Sequence, residues 1–166
     1  MRDNAETESA VKLYAGTVYG IALAHTASKT DADDVFQETF LAFHCSDKQF
    51  SGNDHVRAWL IRTAVNMSRR VTHGKWRKAV PLDDDTPAER FEFATDEQND
   101  IADAVRQLPE KYRVPIWLHY FADMSVRQIA AALRRRESTV RSQLMRGRAL
   151  LRDQLGKDRF DYEQNF

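Results

Sequence analysis

Only one of the 166 residues is a cysteine, Cys45. That excludes an internal disulfide and a cysteine-based zinc site, and fits a reducing compartment. Free cysteines are usually small buried hydrophobes, and Cys45 is expected to be partly buried. Six glycines and four prolines are few, which favours long helices over a sheet rich in turns. No apolar run approaches the 18 residues of a membrane span, and Met1 to Ala10 is too polar and acidic for a signal peptide. A glycine-rich phosphate loop, a metal-ligand spacing and a nucleophile–base pair are all missing. The five histidines form no cluster: His44 and His73 are expected at the surface and His119 in packing. The pattern therefore points away from an enzyme and calls for no metal or other cofactor.

What is present is ordinary in amount and unusual in arrangement. Apolar residues make up 42% and charged residues 30%, enough for a folded core. The net charge is zero, but it is segregated: −5 over residues 1–56, +7 over 57–78, −6 over 79–98, +5 over 99–156 and −1 over 157–166. Two basic blocks flanking an acidic one suggest two polyanion-binding surfaces.

Helical periodicity fills the first 78 residues. Val11, Tyr14, Val18, Ile21 and Ala22 mark one helix. Ala32, Val35, Phe36, Thr39, Phe40 and Phe43 mark a second, with Thr30 and Asp31 as cap candidates. His44 to Asp54 reads as a loop. A third helix, about His55 to Trp76, turns Val56, Trp59, Leu60, Ala64, Met67 and Val71 inward and carries Arg57, Arg62, Asn66, Arg69 and Arg70 on its other side. From Val80 to about Gln98, Pro81, Pro87 and the run Asp83-Asp84-Asp85 break the pattern, as a linker does.

Periodicity resumes with a helix from Ile101 to Leu108. Pro109 opens another, in which Pro115 lies deep enough to predict a kink or restart near Lys111. A short helix follows, Ser125 to Leu133, capped by Ser125 and turning Val126, Ile129, Ala130 and Leu133 inward. The last helix runs from about Glu137 to Leu155 with Val140, Leu144, Gly147 and Leu151 on one stripe. A short capped helix, a tight connection and a longer one-sided helix have the layout of a helix-turn-helix, whose second helix enters the major groove. Opposite the apolar stripe stand Ser138, Arg141, Ser142 and Met145, flanked by Arg146: a short, polar, basic face suited to base edges and phosphates. An ordinary helical hairpin with a solvated face is the alternative reading of this pattern alone.

The chain resembles the extracytoplasmic-function sigma factors of bacterial RNA polymerase. Residues Asp31 to Phe40, with Asp34, Gln37, Glu38 and Phe40 as the core of the match, look like the family's polymerase-binding helix. Residues Arg57 to Asn66 resemble the helix that engages the −10 element. Leu108 to Arg113, Tyr120-Phe121 and Met124 to Leu151 are similar to the −35-reading domain. The match spans roughly residues 8–155 in the family's order.

The resemblance implies an all-α protein of two small helical domains: 1–78, which binds core polymerase and the −10 element, and 99–156, a helix-turn-helix for the −35 element. An acidic linker, 79–98, joins them, and 157–166 is a tail. It implies core RNA polymerase and promoter DNA as partners, in the cytoplasm, with an anti-sigma factor as a further candidate and a monomer when free. Asp33, Asp34, Gln37 and Glu38 would form a ridge for polymerase; solubility alone is the plainer role. Phe50 would stack on a base captured in the 44–56 loop, or else anchor that loop to the core. Asn66 would meet bases or backbone, and Arg62, Arg69, Arg70, Lys75, Arg77 and Lys78 would hold phosphates. Trp59 belongs to the core.

The family's helix-turn-helix turn usually carries Gly, an apolar residue and Ser; here Arg134, Arg135 and Arg136 stand instead. A left-handed residue there then lacks its glycine, and the last helix lacks its cap unless Ser138 or a water replaces it. Arg135 must reach solvent or a phosphate, so all three arginines are expected at DNA. In the linker, Asp83–Asp85, Glu89 and Glu92 would line a basic channel of polymerase, with Phe91 and Phe93 as anchors. Its reach allows this: about 70 Å fully extended, against about 50 Å between promoter elements. The rival class is a helix-turn-helix repressor acting without polymerase, which has no need of the first 78 residues. An inactive paralogue that titrates polymerase is a third.

Overall fold

A computed structural model describes residues 1–26, 28–77 and 96–156. Residues 78–95, which hold most of the expected linker, and the tail 157–166, with the roles expected of Asp83–Asp85, Glu89, Glu92, Phe91, Phe93 and Lys78, lie outside the described residues. All regular structure among the described residues is helical, and the chain divides into two compact units, Met1–Glu89 and Arg90–Phe166.

The first unit is a three-helix bundle of α1 (Asn4–His25), α2 (Lys29–Cys45) and α3 (Asn53–Arg77), each packed on the other two. Val18, Ile21, Val35, Phe43, Leu60 and Ile61 are fully buried between them. α1 begins earlier than its apolar periodicity, because Asp3 caps it through the Ala5 N–H. The cap of α2 is Ser28, whose hydroxyl accepts from the Asp31 N–H at 3.2 Å, rather than Thr30 or Asp31. Asp31 lies one turn in, where a carboxylate favours the positive end of the helix dipole. The Thr72 hydroxyl on α3 donates to the His25 carbonyl at 3.2 Å, tying α3 to the end of α1. Cys45, expected partly buried, is exposed: it is the last residue of α2, two positions beyond the buried Phe43.

The second unit contains α4 (Asp96–Arg106), α5 (Glu110–Tyr120), α6 (Val126–Leu133) and α7 (Glu137–Leu155). α4 begins at Asp96, inside the segment read as linker. α7 touches each of the other three, and Val105, Ile116, Leu118, Ile129, Val140, Leu144 and Leu151 form the core. No restart occurs near Lys111; α5 runs through Pro115. The proline forfeits one backbone bond, to the carbonyl of the exposed Lys111, while its own ring is buried among apolar neighbours. Of the residues expected inward on α6, Val126, Ile129 and Ala130 are buried and Leu133 is half-buried, with Ala132 taking the remaining core position.

Candidate polymerase and nucleic-acid interfaces

On α2, Asp34, Gln37 and Glu38 are exposed. Asp33 is half-buried and accepts a hydrogen bond from the Tyr19 hydroxyl at 2.8 Å, so it is tied to α1 and less free than the others. Asp34 and Glu38 stand with Arg70 around a shallow groove of about 180 Å³ between α2 and α3, whose floor is Val35, Met67 and Val71. Arg70 therefore borders the acidic ridge as well as the basic helix. The groove offers an apolar strip with carboxylates on its rim, a form suited to an amphipathic basic helix.

Arg62, Asn66 and Arg69 recur at four and three residues, so they share one face of α3. Asn66 and Arg69 are exposed and Arg62 is half-buried. Lys75 and Arg77 belong to the last turns of the same helix, but their side chains lie outside the described residues.

The loop before α3 is folded onto the bundle. The Phe50 ring centroid lies 5.7 Å from that of Phe43, 6.0 Å from Trp59 and 5.1 Å from His55. Phe50 thus anchors the loop in this conformation, and Trp59 is half-buried beside it. Ser51 donates through its backbone N–H to Nδ1 of His55 at 3.3 Å. Lys48 and Gln49, between the anchored ends, are exposed.

The partner of this loop is a residue that sequence reasoning passed over, Arg2. Its guanidinium lies 4.5 Å from the Phe43 centroid and 4.6 Å from that of Phe50. Nothing in a polar N-terminal segment marks this role, since the partners of Arg2 in the loop and at the end of α2 are more than forty positions away.

In the second unit Ser125 and Gln128 form a reciprocal capping box on α6: Gln128 N–H donates to the Ser125 hydroxyl at 3.1 Å, and Ser125 N–H donates to Oε1 of Gln128 at 2.9 Å. The following turn is made by the three arginines. Arg134 takes the left-handed conformation, φ 54° and ψ 47°, where glycine is favoured. Arg135 N–H donates back to the Ala130 carbonyl at 3.0 Å, closing the end of α6. Arg136 occupies the cap position of α7 without a side-chain cap bond, so Ser138 does not replace the missing serine.

The Arg135 side chain turns along the protein and donates to Oε1 of Gln143 at 3.0 Å. Arg134 and Arg136 are exposed. Ser138, Arg141, Ser142, Met145 and Arg146 are all exposed on one face of α7, Met145 at 63%. Arg141 is 3.5 Å from Glu137, one turn earlier. Arg146 and Lys111 approach Tyr112. Burial raises the affinity of its phenol for the proton, but the two cations outweigh this and hold the pKa below its usual value.

Comparison with known proteins decides between a hairpin and a DNA reader. Residues 10–78 match the family model of Sigma-70 region 2, and residues 98–151 that of Sigma-70, region 4. The chain belongs to the sigma-70 family, as an extracytoplasmic-function sigma factor. It is 30% identical over 134 residues to the ECF RNA polymerase sigma-E factor of Salmonella typhimurium, covering 71% of this chain and 70% of that one. It is 27% identical over 150 residues to RNA polymerase sigma factor SigV of Bacillus subtilis, covering 84% and 85% respectively.

Among solved structures, the fold is similar to that of sigma factor RpoE from Bartonella quintana, determined with the anti-sigma factor NepR: TM-score 0.71 at 20% identity, over 92% of this chain and 98% of that one. It is also similar to CnrH in complex with the cytosolic domain of CnrY: TM-score 0.65 at 25% identity, over 94% and 91%. Sigma factors direct RNA polymerase to promoters and initiate transcription, and the α6–α7 pair, within the residues matched to region 4, has the form of a helix-turn-helix. No described helix is long and apolar enough to cross a membrane.

Proposed function

We propose that the first unit of this sigma factor binds core RNA polymerase through Asp34, Gln37 and Glu38, with Asp33 behind them, and engages the −10 element through the 44–56 loop and the Arg62/Asn66/Arg69 face of α3. The second unit reads the −35 element with Ser138, Arg141, Ser142, Met145 and Arg146, while Arg134 and Arg136 add phosphate contacts. The single observation that carries this reading is the face of α7: five polar, basic or sulfur-bearing side chains are exposed together on a helix whose other side is buried by α4, α5 and α6. Arginine suits guanine edges or phosphates, and serine suits either. The two acids at the α2–α3 groove support polymerase binding, because a basic partner helix would find charge at the rim and apolar surface at the floor.

In this reading the protein works in the cytoplasm, where core polymerase is, and has no catalytic step of its own. The similarity to sigma factors solved with anti-sigma partners supports an anti-sigma factor as a further ligand of these surfaces. Run-off transcription with purified core polymerase tests the whole reading. Initiation at discrete start sites only when the factor is added is the expected result. A DNA footprint formed by the factor alone, with no factor-dependent transcript, would instead identify a repressor.

A further inference from the structure

Arg2 is a charged residue whose side chain is only 7% exposed. Such burial is unfavourable unless each donor is matched, and here all three guanidinium nitrogens donate. Nε bonds the Phe43 carbonyl at 3.1 Å, one terminal nitrogen bonds Glu6 at 2.5 Å, and the other bonds the Lys48 carbonyl. The Arg2 backbone N–H donates to the His44 carbonyl at 2.7 Å. Two of these acceptors, Phe43 and His44, are carbonyls at the end of α2, where the dipole favours a cation; the Phe43 carbonyl also accepts from the Ser46 N–H at 3.2 Å. The guanidinium also touches the rings of Phe43 and Phe50, a cation–π arrangement.

One side chain therefore joins the start of α1, the end of α2 and the 46–52 loop. It seizes the loop at two points, the Lys48 carbonyl and the Phe50 ring. Gln49 lies between those points with its side chain exposed, and the exposed Lys48 carries its ammonium 6.0 Å from the Phe50 centroid. A glutamine amide has both a donor and an acceptor for a base edge, and a lysine ammonium suits a phosphate.

We infer that Arg2 is a positioning residue for promoter opening: it fixes the loop so that Gln49 and Lys48, rather than the anchored Phe50, meet the displaced single strand. The inference rests on assigning the −10 element to the first unit. A clasp that merely held the bundle together would affect every activity of the unit equally. One that presents the loop affects single-strand capture selectively.

The test uses the full chain assembled with core polymerase. Single-stranded oligonucleotides are first selected from a random pool by wild-type holoenzyme. Affinity for the selected strand and for core is then measured for R2A, R2K, Q49A and the R2A/Q49A double variant. R2A is expected to bind the selected strand about tenfold more weakly, the scale of one lost base contact, with core affinity kept within about twofold. R2K keeps the charge but not the fork, and is expected to lose most of the same affinity. The double variant is expected to be no weaker than the weaker single variant, since both act through one contact.

Additive losses, or an equal fall in core binding, would overturn the positioning role. Should R2A not fold, R2K alone carries the comparison. A wild-type holoenzyme that selects no oligonucleotide but transcribes from duplex promoters overturns the loop's role and leaves the sigma assignment standing.

Discussion

Gly147 and Ile116 meet so closely that a Cβ added to Gly147 would lie 2.8 Å from Cγ1 of Ile116 and 3.2 Å from Cβ of Tyr112. A mid-helix glycine is ordinarily weaker than alanine by roughly 0.5–1 kcal/mol. Here its missing side chain lets α7 approach α5, and the Ile116 it meets is fully buried.

The substitution Gly147→Ala is therefore expected to destabilise the second unit by about 1–3 kcal/mol, the range for overpacking a core. Thermal unfolding followed by circular dichroism checks it. A melting temperature that rises would mean that α5 shifts freely and propensity wins.

Arg134 makes the opposite case. Its left-handed backbone costs a non-glycine residue on the order of 1 kcal/mol. Arg134→Gly should stabilise the unit by a few tenths to about 1 kcal/mol, the gain reduced by the freer unfolded chain. Chemical denaturation decides it. The same variant is expected to weaken DNA binding at low salt, because an exposed cation is lost.

The three arginines of the turn should separate by salt dependence. Arg134→Ala and Arg136→Ala are each expected to lower the slope of log affinity against log salt by about one. Arg135→Ala should leave that slope nearly unchanged, since its guanidinium is held by Gln143. Equal effects from all three would show that Arg135 leaves Gln143 when DNA binds. Arg141→Ala, if Arg141 reads a guanine, should cost about 1–3 kcal/mol and relax one promoter position.

Charge reversal at Asp34 and Glu38 together should weaken binding to core polymerase and leave helicity intact, because both side chains are exposed. Reversing Asp33 is expected to be worse tolerated, since the Tyr19 hydroxyl would lose its acceptor. Co-purification of the Asp34/Glu38 variant with core at wild-type levels would remove these residues from the interface.

The extent of α7 and the cap of α6 were legible in the sequence for a physical reason. Their stabilising patterns are local: an apolar stripe from Val140 to Leu151, and Ser125 three residues before Gln128. The start of α2 was less so, because Ser28, Thr30 and Asp31 are all competent caps and only backbone geometry selects one. Pro115 does not force a restart, since tertiary packing holds α5 through a residue that would break it in isolation. Cys45 shows the limit of residue-type habits at a helix end. Arg2, Arg135 with Gln143, and the approach of Arg146 to Tyr112 depend on partners distant in sequence or on the path of a long side chain, which periodicity does not encode.

The contacts of Arg2 with Phe43 and Lys48 bridge 41 and 46 residues. Pairing of the intervening helices brings the two ends of that segment together, so the clasp depends on the docking of α1 and α2. The loop beside α3 then becomes ordered only after α1 and α2 have docked. In the proposed reading, a nascent or partly unfolded first unit has no shaped loop to offer DNA, and competence to open a promoter becomes a report on completed folding.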